Sequence, residues 1–140
     1  MFNNVAKHYD FLNHFLSFNI DKYWRRRVVR EIQKIFIQQE KDSLQILDIA
    51  TGTGDMAICL SKLKTSKIIG IDLSENMLDI AKRKILKKGL NTSIEFLKAD
   101  AEKLPFSDRQ FDIVTIAFGI RNFENFDKAL KEIIRVLKSN

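Results

Sequence analysis

The chain has 140 residues, one cysteine, two histidines, and 24 Lys plus Arg against 18 Asp plus Glu, a net charge of +6. That length suits one domain with its own core, while a lone cysteine excludes an internal disulfide, argues against a Cys/His metal site and fits a reducing, cytoplasmic setting. No apolar run reaches the length of a membrane span, residues 1–20 lack the marks of a signal peptide, and the positive charge comes with neither zinc-finger spacing nor an RNA-binding aromatic signature.

Residues 3–18, "NNVAKHYDFLNHFLSF", place Val5, Tyr9, Leu12 and Leu16 at helical spacing, with Phe11, Phe15 and Phe18 as a second apolar stripe. A helix apolar on two sides needs two things to touch. Residues 21–38 predict a second helix, with Asp21 as N-cap and Trp24, Val28, Ile32, Ile35 and Phe36 on its buried face. Its "KYWRRRVVR" stretch is the densest basic cluster. The period then changes. "LQILDIA" reads as a buried strand, residues 54–63 as a helix with Ala57, Ile58 and Leu63 inward, and "KIIGID" as a second strand. "SENMLDIAKRKILKK" is a helix begun by Ser74, burying Met77, Leu78, Ala81 and Ile85, and stopped by Gly89. "SIEFLKAD" and "FDIVTIAF" are strands three and four. Residues 126–138 close as a helix with Phe126, Leu130, Ile133, Ile134 and Leu137 on one face.

Strands alternating with helices predict an α/β, Rossmann-like parallel sheet covered on both faces, with right-handed crossovers and strand order 3-2-1-4. Ligands bind such sheets beyond the carboxyl ends of the strands. The residues that matter are therefore Asp48–Gly54, Asp72, Asp100 and Ala117–Arg121, which come from separate stretches and converge on one crevice.

Gly52, Gly54 and Ala57 in "LDIATGTGD" satisfy the G-x-G-x-x-G/A dinucleotide fingerprint, and Asp72 ends the next strand, where an acid can hold ribose hydroxyls. A NAD-linked oxidoreductase is one reading. Asp48 before the turn and Asp100 after the third strand favour another, because acids suit a cationic, phosphate-free cofactor better than a pyrophosphate. S-adenosylmethionine has that chemistry.

The run "ILDIATGTGD … IIGIDLSENMLDIAKRK … FLKADAEKLPFSDRQFDIVTIAFGIRNF … ALKEIIRVLK" resembles class I methyltransferases. More narrowly, it resembles the ubiquinone/menaquinone C-methyltransferase family: "YDFLNHFLSFNIDKYWRR" is similar to that family's N-terminal signature (Tyr-Asp-x-x-Asn, then Leu-Ser, then Trp), and "FGIRN" follows the fourth strand. Asp21 stands where the signature often has histidine, Ala117 where some members have serine, and the ending "RVLKSN" where the family reads "RVLKPGG". The resemblance implies a longer chain and a sheet of seven strands, so the C-terminal strands are expected to be missing here.

The resemblance also implies a reaction: methylation of a ring carbon of demethylmenaquinol, or a related prenylated quinol, by S-adenosylmethionine. On it, Asp48, Gly52, Thr53, Gly54, Asp72, Asp100 and Ala101 bind cofactor. Thr53 and the Gly52–Gly54 backbone hold the methionine end, Asp72 takes the ribose diol, and Asp100 and Ala101 border the adenine. Arg121 is the catalytic candidate, stabilising a quinolate or orienting a proton-accepting water. Tyr9, Asn13 and Arg121 face substrate; Asp10 belongs to the same signature, and His8 and His14 have pKa values suited to a base. Residues 1–40 form a helical cap and 41–140 the cofactor domain. The expected partners are the quinol and a peripheral contact at the inner face of the membrane, with no metal and no nucleic acid. An unpaired fourth strand is expected to make the chain self-associate, and the chain alone is expected not to turn over. Another small-molecule or RNA methyltransferase remains an alternative.

Overall fold

The computed structural model describes residues 20–63, 66–116 and 123–139. Helix α1 (Ile20–Gln38) leads into strand β1 (Gln45–Ile49), short helix α2 (Asp55–Leu60), strand β2 (Lys67–Asp72), helix α3 (Glu75–Lys87), strand β3 (Ile94–Lys98), strand β4 (Ile113–Ile116) and helix α4 (Phe126–Val136). The strands form one parallel sheet in the order β3-β2-β1-β4, as expected from the alternation of strands and helices. In the register Asp48 lies beside Gly70 on one side and Thr115 on the other.

Both faces of the sheet are covered, so its central strands are apolar in both directions. On one face Ile46 and Ile68 pack with Val29 and Ile32 of α1, Leu60 of α2, Ala81 and Ile85 of α3, and Phe96. On the other, Leu47, Ile49 and Ile71 pack with Ala129, Ile133 and Val136 of α4, and with Leu104 and Phe111. Residues 20–38 thus share a core with the sheet.

Helix α3 follows its sequence closely. The Ser74 hydroxyl accepts the Met77 N–H at 3.3 Å, Met77, Leu78, Ala81 and Ile85 are buried, and Gly89 takes φ +66° just past the end. Three expectations need correction. Helix α2 covers six residues rather than ten, because the glycine turn occupies its first expected position and residues 61–63 leave the helix. Helix α1 contains Asp21 rather than starting after it, and it buries Val29 and Ile32 with Phe36 half-covered, leaving Trp24, Val28 and Ile35 exposed. Helix α4 buries Ala129, Ile133 and Val136, leaving Phe126, Leu130 and Ile134 exposed. Both helices carry two apolar stripes side by side, and the sheet takes the stripe whose side chains fit its surface.

Candidate functional site

The turn after β1 is built from residues in the left-handed region: Ala50 at φ +55°, Gly52 at +58° and Gly54 at +85°. Glycine reaches this region at no steric cost, whereas Ala50 is held there against its preference. The Thr51 N–H donates to the Ile71 carbonyl at 2.9 Å, and the Gly54 N–H to the Thr51 carbonyl at 2.9 Å, so the turn is tied to the end of β2 and closed on itself. A methyl group at Gly54 would lie 2.7 Å from Phe96 Cζ and 3.0 Å from Ala81 Cβ. At Gly70 it would lie 2.6 Å from the Phe96 ring and 2.8 Å from Thr51 Oγ1. These glycines let the Phe96 ring pass under the turn. At Gly52 the nearest atom would be Met77 Sδ at 3.8 Å, which leaves the backbone approachable from the crevice side.

Asp72, at the carboxyl end of β2, organises the adjacent backbone. Its Oδ2 accepts the Gly52 N–H at 2.8 Å and its Oδ1 the Ser74 N–H at 2.9 Å. Each carboxylate oxygen can accept a second bond, so a pair of vicinal hydroxyls could still be held. Leu73, beside it, is 61% exposed, a large apolar side chain at the rim.

Asp48 lies beneath the turn. It is 1% exposed, its Oδ2 accepts the Thr51 hydroxyl at 2.7 Å and its Oδ1 the Thr115 hydroxyl at 2.6 Å. Burial, opposed by these two bonds and reinforced by the nearby Asp72 charge, pushes its pKa up from 3.8 to about 6. Its carboxylate thus reaches the crevice through the loop it supports. Thr53 is also buried, and its hydroxyl accepts from Lys84 Nζ at 3.0 Å, which leaves the backbone of this residue for the crevice side. Lys84 bonds Asp55 as well, at 3.1 Å.

After β3, the exposed Asp100 accepts the Glu102 N–H at 2.9 Å, and Ala101 is buried against the second core layer. The following loop is fastened by Arg135 of α4. Its guanidinium donates to the carbonyls of Leu104 at 3.1 Å and Phe106 at 2.8 Å, to Asp108 at 2.8 Å, and twice to Glu132. Glu132 in turn accepts the Leu104 N–H at 2.7 Å. At the opposite end of the sheet, Asp112 accepts from Lys41 at 2.7 Å, Lys138 at 3.3 Å and the Gln45 N–H at 2.8 Å.

The structure therefore brings Gly52, Thr53, Gly54, Asp72, Asp100 and Ala101 to one end of the sheet, with Asp48 below them. Tyr9, Asn13 and Arg121 lie outside the described residues, as do His8, Asp10, His14 and Ala117. Sequence reasoning missed Gly70, Phe96, Thr115 and Arg135, which shape the crevice from outside it; the Gly70 inside an apolar strand was the one local signal. Among the described residues no cluster of His, Cys, Asp and Glu could hold a metal ion, and no helix is long and apolar enough to cross a membrane.

Comparison with known proteins bears on which ligand this crevice takes. The chain is 46% identical over 140 residues to a demethylmenaquinone methyltransferase of Bacteroides fragilis, covering 99% of this chain and 55% of the relative. It is 48% identical over 138 residues to the Thermus thermophilus protein of the same name, covering 98% and 59%. A ubiquinone/menaquinone biosynthesis C-methyltransferase of Pseudomonas entomophila is 40% identical over 140 residues, covering 99% and 52%. The chain thus spans about half the length of these curated relatives. Among solved structures, a putative S-adenosyl-L-methionine-dependent methyltransferase from Methanococcus maripaludis superposes with a TM-score of 0.80 at 25% identity, over 98% of this chain and 59% of that one. One from Aquifex aeolicus gives 0.66 at 31% identity, over 79% and 58%. The fold is that of class I methyltransferases. The model of the ubiE/COQ5 methyltransferase family matches residues 1–140, and the chain belongs to that family.

Proposed function

We propose that the protein to which this chain belongs transfers a methyl group from S-adenosylmethionine to a ring carbon of a prenylated quinol, demethylmenaquinol or its benzoquinol counterpart. The observation that carries this reading is the identity of 46–48% to demethylmenaquinone methyltransferases across nearly all of the chain. The crevice residues fit the cofactor. Asp72 keeps acceptor capacity for a diol, the Gly52 backbone is open to close approach, and Asp72 and Asp100 suit a cationic ligand without phosphate.

When bound, the cofactor supplies an electrophilic methyl group on a sulfonium. The chain's own residues then have mainly a positioning task. The Gly52–Gly54 backbone and Thr53 hold the methionine end, Asp72 takes the ribose hydroxyls, and Asp100, Ala101 and the exposed Leu73 border the base. Asp48 acts from below, fixing Thr51 and hence the turn. On the substrate side the family resemblance points to Tyr9, Asn13 and Arg121. The ring carbon becomes nucleophilic as a neighbouring quinol hydroxyl loses its proton, and Arg121 stabilises the oxyanion or orients the accepting water.

Residues 1–40 serve as a cap, of which α1 is anchored through Val29 and Ile32. We place the protein in the cytoplasm, in peripheral contact with the membrane that holds the quinol. In this chain β4 is an edge of the described sheet, and its outer backbone groups, which meet no second strand among the described residues, favour association with a second copy. The test of the reaction is transfer of a labelled methyl group to demethylmenaquinol by a protein of the relatives' full length. Binding of S-adenosylhomocysteine with no labelled quinone would overturn the substrate, and tighter binding of NADH would overturn the cofactor.

A further inference from the structure

Helix α1 concentrates the chain's charge. Its 19 residues contain Lys22, Arg25, Arg26, Arg27, Arg30 and Lys34 against Asp21 and Glu31, a net of +4 where the whole chain has +6. The distribution around the helix is ordered. Val29 and Ile32 point into the core, and at 100° per residue Arg27, Arg30 and Lys34 fall on the opposite, exposed side, while Arg26 lies on one flank. Between these faces runs a third stripe, Trp24, Val28 and Ile35, exposed by 50%, 36% and 47%. Tyr23, 56% exposed, meets Trp24 edge to face at 6.0 Å, and the Arg27 guanidinium lies 5.6 Å from the centre of the Trp24 ring.

We propose that this outer surface of α1 docks on an anionic phospholipid bilayer, with Trp24, Val28 and Ile35 entering the headgroup boundary and Arg27, Arg30 and Lys34 meeting lipid phosphates. Charge complementarity selects an anionic partner. The exposed aliphatic and aromatic stripe selects lipid over nucleic acid, because a phosphate backbone gives Val28 and Ile35 nothing to bury against, whereas a bilayer interface takes up apolar side chains and the amphipathic rings of Trp and Tyr. The inference builds on the proposed reaction, in which a prenylated substrate must be met in the membrane, and it names the surface that meets it.

Trp24 is the chain's single tryptophan, so its fluorescence reports on the contact directly. The chain is titrated with vesicles of phosphatidylglycerol and phosphatidylcholine in equal parts, with pure phosphatidylcholine vesicles, and with a single-stranded RNA oligonucleotide. The expected result is a blue shift and co-sedimentation with the anionic vesicles alone, weakened by 0.5 M salt. The R27A/R30A/K34A variant, with an unchanged melting curve, should bind about a hundredfold more weakly. No shift with anionic vesicles, undiminished binding by the triple variant, or binding to RNA in place of vesicles would overturn the proposal. None of these readouts depends on methyl transfer, so a failure here is distinguishable from a failure of the reaction.

Discussion

The Thr115 hydroxyl donates to Asp48 Oδ1 at 2.6 Å, joining β4 to the buried carboxylate that also holds Thr51 of the glycine turn. One acid thereby couples the glycine turn to the strand that leads into "FGIRN". Its position has a thermodynamic signature. The folded pKa of about 6 exceeds the ordinary 3.8, so the folded state binds this proton more tightly than the unfolded chain. Stability from this site is therefore highest below pH 4 and falls as pH rises toward 6, by about 2–3 kcal/mol in all.

Asp48→Asn should remove that dependence. The amide keeps an oxygen for one threonine and donates to the other. Urea denaturation at a series of pH values should show the variant gaining on wild type between pH 4 and 6.5 and holding the gain above it. A constant difference across the range would place the proton elsewhere. Asp112 works in the opposite sense: burial opposes its charge, but the bonds from Gln45, Lys41 and Lys138 outweigh it and hold its pKa down, so its contribution is lost on acidification.

Asp72→Ala should weaken S-adenosylhomocysteine binding by about 1.5–3 kcal/mol, the range for removing a charged hydrogen-bond partner. Asp72→Asn should fall between, since it retains one acceptor oxygen for the Gly52 or Ser74 N–H. Calorimetry compares the three. An unchanged affinity in the alanine variant would remove Asp72 from the site.

Gly70→Ala should be more damaging than Gly52→Ala, against sequence intuition about a phosphate-type fingerprint. The Gly70 methyl meets the Phe96 ring at 2.6 Å and Thr51 Oγ1 at 2.8 Å, an overpacking expected to cost about 2–3 kcal/mol. The Gly52 methyl meets only Met77 Sδ at 3.8 Å, an ordinary contact, and costs the left-handed backbone penalty of about 1–2 kcal/mol. Denaturant titration ranks them, and adding Phe96→Leu to Gly70→Ala should recover part of the loss.

Arg135→Ala should free the loop around residues 103–108, which its guanidinium holds through two backbone carbonyls and Asp108. Faster amide exchange there, with β1 and β2 unchanged, is the expected readout. Arg135→Lys should not restore protection, because one ammonium cannot span the fork of acceptors.

Self-association is tested by light scattering over a range of concentrations. Mass should rise with concentration, as expected of an exposed edge strand. A clean monomer throughout would show that the β4 edge is satisfied within the chain.

Strand order, the Ser74 cap and the buried set of α3 were legible because each rests on a local pattern with one reading. Helices α1 and α4 were legible as helices but not as faces. Residues 24, 28 and 35 and residues 29, 32 and 36 make neighbouring stripes of comparable hydrophobicity, and so do 126, 130 and 134 beside 129, 133 and 136. Only the shape of the sheet decides between them. The crevice was legible where it is made of strand ends. Asp48 was seen as an acid, but its depth was not, since β1 is buried on both faces and alternation carries no information. Arg135, Phe96 and Thr115 act on residues distant in sequence, and no spacing announces that.

Phe96 also bears on when the glycine turn acquires its shape. Gly54 and Gly70 close around a ring that arrives on β3, well after the glycines in the chain, and β3 is fixed only once it pairs with β2. During synthesis the "TGTG" segment is made early yet lacks its floor until residue 98 has left the ribosome and the strand has docked. The turn therefore takes its shape late and through a non-local contact, and a partly made chain, however helical, does not yet present it.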